Sequence, residues 1–156
     1  MITVNIPGYR KLELSNLVMD YNGTLACDGR LIEGVGPVLE ELADHLELHV
    51  LTADTFGRAR SELVGLPAVL RVLPEGNQDE GKLECIQRLG EAGTVAIGNG
   101  RNDKLMLAGA GLGIVLIQEE GACVETVMAA DMVCPDILSA LTLLTTPKRL
   151  VAGLRR

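Results

Sequence analysis

Tryptophan is absent from this 156-residue sequence, and its aromatic residues are two tyrosines, Tyr9 and Tyr21, and one phenylalanine, Phe56. The core must therefore be built from Leu, Val, Ile, Ala and Met, and few rings are left for stacking on bases. Basic residues are also in the minority, 14 against 21 acidic ones, for a formal charge of −7. Nucleic-acid binding is excluded on both counts, because it needs a basic surface and usually stacking aromatics. An anionic small substrate would depend on local help from a metal, a lysine or a helix N-terminus. The four cysteines, Cys27, Cys85, Cys123 and Cys134, form no CxxC pair, and His45 and His49 sit at neither end of a cysteine pair. This argues against a zinc site and for reduced thiols. No apolar run reaches the roughly 18 residues of a membrane span. The opening MITVNIPGYR lacks the charged-then-apolar pattern of a signal peptide, so a cytoplasmic location is expected. With 47% hydrophobic and 22% charged residues, a disordered chain is excluded and one folded domain over 1–156 is expected.

What is present is an alternation of short apolar runs with helical spacings. Residues 1–6 and 11–14 alternate around Pro7-Gly8 and predict a β-hairpin, so that 1–14 forms an N-terminal hairpin. Buried strands are expected at 17–19 and 48–51, and further strands at 68–73, 94–97, 113–117 and 132–134. Helices are expected at 37–46, 55–63, 79–89, 103–108, 122–130 and 137–144, the last being the final full helix. The order predicts an α/β fold: a three-layer, Rossmann-like parallel sheet covered on both faces. In such sheets ligands bind beyond the carboxyl ends of the strands. That rule selects Asp20, Thr52 and the loop Gly98-Asn99-Gly100-Arg101-Asn102-Asp103, each of which follows an apolar run.

Each of these residues suits phosphoryl chemistry. A carboxylate held at a strand end, such as Asp20, can attack phosphorus to form an aspartyl-phosphate. Thr52 can donate a hydroxyl hydrogen bond to a phosphoryl oxygen. Lys82, near a helix start where the dipole disfavours a cation, suits an anion partner. The oxygen-bearing side chains of residues 98–103 suit Mg²⁺, although the loop matches neither GxxxxGK[ST] nor GxGxxG.

In this order the residues resemble the haloacid dehalogenase (HAD) superfamily, and within it the phosphorylation domain of P-type ATPases in soluble form. That family has an apolar strand followed by Asp-x-[Asp/Thr]-Gly-Thr; residues 17–24 read LVMDYNGT. It then has a strand ending in Thr or Ser, here Thr52-Ala53-Asp54, a lysine before the fourth strand, here Lys82, and Gly-Asp-Gly-x-Asn-Asp, matched by 98–103. LGIV at 112–115 and AADMV at 129–133 extend the likeness over roughly Leu14 to Leu144. The resemblance implies a HAD-like fold and a Mg²⁺-dependent phosphatase or phosphotransferase of phosphorylated small molecules. Asp20 would be the nucleophile. Thr52, Ala53, Lys82 and Asn102 would hold the phosphoryl group, and the metal would sit among Asp20, the Asn22 carbonyl, Asn99 and Asp103. Asp103 would ligate it or orient Lys82.

Two positions depart from the family pattern. Asn22 stands where phosphatases of this type carry an Asp acting as general acid and base, and an amide does neither. Asn99 removes one negative charge from the metal site. Slow dephosphorylation is the expectation, and a weakened HAD-like binding or regulatory protein is the alternative. A receiver-like phosphoacceptor fits less well, since its acceptor follows the third strand. Asn22-Gly23 and Asn99-Gly100 are also deamidation-prone pairs unless a rigid loop protects them. The short stretches between Asp20 and Thr52 and between Thr52 and Lys82 leave room for a flap at 25–37, around Asp28-Gly29, and not for a cap domain. An open site of this kind leads to the expectation of a homo-oligomer, with the basic run 147–156 as a tail available for contacts.

Overall fold

The computed structural model describes residues 1–54 and 57–156. After an antiparallel hairpin, β1 (Ile2–Asn5) and β2 (Lys11–Leu14), the chain enters β3 (Asn16–Asp20). A second, minimal hairpin, β4 (Ala26–Cys27) and β5 (Arg30–Leu31), fills the expected flap. Then come α1 (Val35–Ala43), β6 (Glu47–Thr52), α2 (Arg58–Glu62), β7 (Val69–Val72) and α3 (Gln78–Leu89). The second half comprises β8 (Thr94–Gly98), a 3₁₀ turn at Arg101–Asp103, α4 (Lys104–Gly109), β9 (Leu112–Leu116), α5 (Val124–Ala129), β10 (Met132–Cys134), α6 (Ile137–Thr145) and α7 (Pro147–Leu154). The expected start of the second helix at Thr55 falls on residues 55 and 56, which lie outside the described residues.

Six strands form one parallel sheet in the order β10-β9-β8-β3-β6-β7. From β3 the chain builds outward through β6 to β7, then crosses back to place β8 on the other side of β3. The crevice at such a reversal is where open α/β sheets bind ligands, and here it lies between the ends of β3 and β8. Among the described residues the only insertion over this edge is the β4–β5 hairpin, and no cap domain is present.

Strand alternation divides the core. Leu17, Met19, Val50, Ile97 and Ile114 face the layer containing α1, α6 and α7, whereas Val18, Leu51, Ala96 and Val115 face α3, α4 and α5. Asp20 is in step with Val18, so it belongs to the α3 side. His49 also lies within the sheet, buried, and neither ring nitrogen has a hydrogen-bond partner among the described residues, with Glu47 Oε2 3.8 Å from Nε2. Burial, and then the charge of Arg71, hold its pKa below the ordinary 6.5.

The C-terminal run corrects the sequence expectation. It is α7, an amphipathic helix turned by 104° from α6, and not a tail after a last helix. The expectation of a free end fails because Pro147 opens a helix at its first turn, where its missing N–H costs nothing. Leu150 is fully buried, Val151 and Leu154 pack against the main core, and Lys148 and Arg149 stay exposed. The Arg156 backbone N–H donates to the Pro7 carbonyl at 3.2 Å, joining the chain end to the first hairpin. No single helix among the described residues is long and apolar enough to cross a membrane.

Leu150→Ala is expected to cost about 2–5 kcal/mol in urea unfolding, as deletion of a buried leucine does. Arg149→Ala on the exposed face should stay within about 0.5 kcal/mol.

Candidate active site

The site is built around one buried ammonium group. Lys82 is only 1% exposed. Its Nζ donates to Asp20 Oδ1 at 2.8 Å, to Asp103 Oδ1 at 2.7 Å and to Asn102 Oδ1 at 3.3 Å. Helical spacing explains its position, since Lys82 lies four residues before Ile86, one of the buried residues of α3. Residues from β3, α3 and the loop after β8 thus meet at one point.

Asp103 has both oxygens engaged. Oδ1 accepts from Lys82, and Oδ2 accepts from the backbone N–H groups of Asn99 and Gly100, each at 2.9 Å. Of the two roles expected for Asp103, this geometry favours orienting Lys82 over presenting an oxygen to a metal. Gly98 is required here, because a Cβ at that position would stand 2.5 Å from the Asp103 carboxyl carbon. Asn102 is held between Lys82 and Gln78, donating to Gln78 Oε1 at 3.1 Å.

Among the described residues, the second oxygen of Asp20 lies 3.5 Å from the Thr24 hydroxyl, which is also 3.4 Å from Asn99 Oδ1, and the backbone N–H of Tyr21 donates to the Asp20 carboxylate as well. Asn99 in turn donates to the Gly121 carbonyl at 3.0 Å, leaving its amide oxygen on the side of the Thr24 hydroxyl. Two carboxylates share one ammonium; Asp103 accepts from two backbone N–H groups and Asp20 from one, that of Tyr21. The uncompensated negative charge therefore falls on Asp20. Burial, then the nearby Asp103, push its pKa up to about 7 against the pull of Lys82. For Lys82, burial alone would lower the pKa, but Asp20 and Asp103 outweigh it and hold the pKa above the ordinary lysine value.

A hard cation fits this donor set: the Asp20 carboxylate with a weakly engaged oxygen, the Asn99 amide oxygen near the same Thr24 hydroxyl, and the backbone carbonyl of Asn22 two residues after Asp20. All are oxygens, as Mg²⁺ prefers. Only one carries charge, which predicts weak affinity.

Thr52 ends β6, beside β3. Its Oγ1 accepts from the Asp54 N–H at 3.1 Å, leaving the hydroxyl hydrogen to be donated elsewhere. Ala53 follows it, half-buried at the strand end. Asp54, the nearest acid in sequence to Thr52, is occupied otherwise: its oxygens accept from the N–H groups of Ala59 at 2.7 Å and Arg60 at 3.2 Å, capping α2. Asn22 is exposed. The deamidation-prone pairs are restrained, since Gly23 N–H donates to the Ala26 carbonyl and Gly100 N–H to Asp103. Each glycine nitrogen that would attack the asparagine side chain is thus already bonded. Gln118 was not anticipated from sequence. It donates to the carbonyls of Gly23 and Thr24, directly after the Asp20 loop.

Two substitutions should move stability in opposite directions in cation-free buffer. Above its ordinary pKa of 3.8 the unfolded chain has released the Asp20 proton, while the folded protein retains it to about 7, so stability falls as pH rises through that window. Asp20→Asn removes this loss and should raise stability by ~1–3 kcal/mol at pH 8, with less gain at pH 5. Lys82→Met leaves two buried carboxylates without a counter-charge and should cost ~3–5 kcal/mol at pH 8. Chemical unfolding at the two pH values measures both.

No protein-family model matches this sequence. An uncharacterized protein of Methanocaldococcus jannaschii, MJ0073, is 40% identical over 84 residues, which cover 51% of this chain and 90% of that protein. Among solved structures, a HAD superfamily (subfamily III A) hydrolase of Legionella pneumophila superposes with a TM-score of 0.73 at 13% identity, covering 91% of this chain and 87% of that one. The 3-deoxy-D-manno-octulosonate 8-phosphate phosphatase of Moraxella catarrhalis, solved with magnesium, phosphate and the sugar acid, superposes with a TM-score of 0.69 at 15% identity, covering 90% of this chain and 91% of that one. The chain therefore belongs to one family with MJ0073, and its fold is that of the capless members of the haloacid dehalogenase superfamily.

Proposed function

We propose that this protein is a Mg²⁺-dependent phosphatase or phosphotransferase that works through an aspartyl-phosphate on Asp20. The observation that carries the reading is the buried Lys82 ammonium between Asp20 and Asp103, at the reversal point of the sheet. A nucleophilic carboxylate, a fixed cation and a nearby hydroxyl, Thr52, meet where a phosphoryl group would be received.

In the first half-reaction an Asp20 oxygen forms a bond to phosphorus as the bond from phosphorus to the leaving oxygen breaks. Lys82, positioned by Asp103, neutralises charge on the phosphoryl oxygens, while the Thr52 hydroxyl, the Ala53 backbone and the Asn102 side chain orient them. A Mg²⁺ held by Asp20, the Asn22 carbonyl and the Asn99 amide oxygen would supply positive charge that keeps the Asp20 carboxylate ionised and screens the phosphate. In the second half-reaction water attacks phosphorus, the bond to Asp20 breaks, and the proton of the water passes to solvent. Asn22 is exposed beside the nucleophile but cannot take that proton. Asp54 is held as a helix cap. The second step is therefore the slow one.

A phosphorylated small molecule is the substrate class that this open site suits; the phosphatase neighbours act on such compounds. Closure by a second copy of the chain in a homo-oligomer would compensate for the missing cap. The alternative, a binding or regulatory protein with residual chemistry, draws on one feature: the two Asn positions leave Asp20 and Asp103 as the acidic side chains of the Lys82 cluster.

An aryl phosphate leaves readily without protonation, so rapid-quench kinetics should show a burst near one product per site, then slow turnover. Asn22→Asp should raise the steady-state rate by roughly 10²–10⁴-fold, and Asp20→Asn should abolish the burst. Absence of a burst with aryl and acyl phosphates would overturn the enzyme reading in favour of the regulatory one.

A further inference from the structure

Beyond the residues that would touch phosphate or cation, one side chain fixes the loop that carries the Asn22 carbonyl. Gln118 lies just after β9, on the connection to α5, and is half-buried. Its Nε2 donates to the Gly23 carbonyl at 3.0 Å and to the Thr24 carbonyl at 2.9 Å. Its Oε1 accepts from the backbone N–H of Ile137, the first residue of α6, at 2.9 Å. Both amide protons and the oxygen are in use, a pattern that needs two donors and one acceptor in a single plane. Among neutral side chains of this length only glutamine supplies it. A glutamate would set a carboxylate against two carbonyl oxygens.

The loop is held from the opposite side as well. Gly23 has φ +77°, and a Cβ there would lie 2.4 Å from the Asn99 side-chain nitrogen. Gly23 and Thr24 are thus held between Asn99 and the Gln118 amide. With the Gly23 and Thr24 carbonyls fixed, rotation of the neighbouring Asn22–Gly23 peptide is limited, and with it the direction of the Asn22 carbonyl. The anchor reaches to the start of α6, so the loop is tied to a packed helix and not only to its own turn.

We infer that Gln118 is a positioning residue for divalent-cation binding: by holding the Gly23 and Thr24 carbonyls against the start of α6, it aims the Asn22 carbonyl at the cation beside Asp20. The inference rests on the phosphotransfer reading above, but its primary test is binding and not turnover. Only one of the three expected cation ligands is charged, so orientation of the two neutral oxygens carries an unusually large share of the affinity.

Mn²⁺ is the probe, followed by loss of its free-ion EPR signal on titration into the wild-type protein, Asp20→Asn, Gln118→Ala and Gln118→Met. Far-UV circular dichroism checks the fold, and the methionine variant, which keeps the length and loses the hydrogen bonds, carries the test should the alanine variant unfold. Loss of a residue that orients metal ligands typically weakens binding about 10–100-fold, and that is the expected rise in Kd. Turnover of an aryl phosphate by Gln118→Ala should return toward the wild-type kcat at saturating Mn²⁺, since the defect lies in occupancy. A folded Gln118 variant with unchanged Mn²⁺ affinity overturns this inference alone. A wild-type protein that binds no Mn²⁺, or binds it equally well as Asp20→Asn, overturns the phosphotransfer reading and this inference with it.

Discussion

The Lys82 ammonium is the charge about which the rest of the site is arranged. Burying a lysine is costly unless its charge is compensated and its donors are satisfied. Here Asp20, at the end of β3, and Asn102 and Asp103, neighbours in the turn after β8, accept from it. The cluster can form only if β3 and β8 are neighbours, α3 covers the correct face, and the loop after β8 turns back through its 3₁₀ turn. The reversal of strand order at β3 provides the first condition, and strand alternation, which sends Asp20 toward α3, provides the second.

The cluster is not electrically balanced. Two carboxylates face one ammonium, and burial together with the charge of Asp103 raises the pKa of Asp20 against the pull of Lys82 and the Tyr21 backbone N–H. The strain of an under-compensated charge thus rests on Asp20, a group that gains most from a cation arriving beside it. Stability is given up where binding would recover it, a familiar arrangement at functional sites. Asn22 and Asn99 shift that balance. Each is close in shape to aspartate and supplies an oxygen, but neither adds negative charge. In the phosphotransfer proposed above, that means weaker attraction for a cation and no base for water at Asn22.

Such a site depends more on geometry than on charge, which gives weight to the scaffolding around the Asp20 loop. Gly23 allows the loop to approach Asn99, and Gln118 holds its carbonyls from the other side. Asp54 shows the reverse case: an acid close in sequence to Thr52 that is withdrawn from chemistry by capping a helix.

The sequence by itself determined the order of strands and helices, the parallel sheet, and the identity of Asp20, Thr52, Lys82 and residues 98–103 as the residues to bring together. These are legible because burial imposes periodicity on local runs, and because polar residues directly after buried strands have few other places to be. Tertiary structure decided the rest. That Asp103 spends both oxygens on Lys82 and backbone donors, that Asp54 caps α2, and that 147–156 is a packed helix and not a free basic tail depend on partners distant in sequence. Gln118 is the clearest case. Its neighbours in sequence give no signal, since its partners are backbone groups at Gly23, Thr24 and Ile137, and backbone hydrogen bonding leaves no trace in residue type until the fold brings the donors and acceptors together.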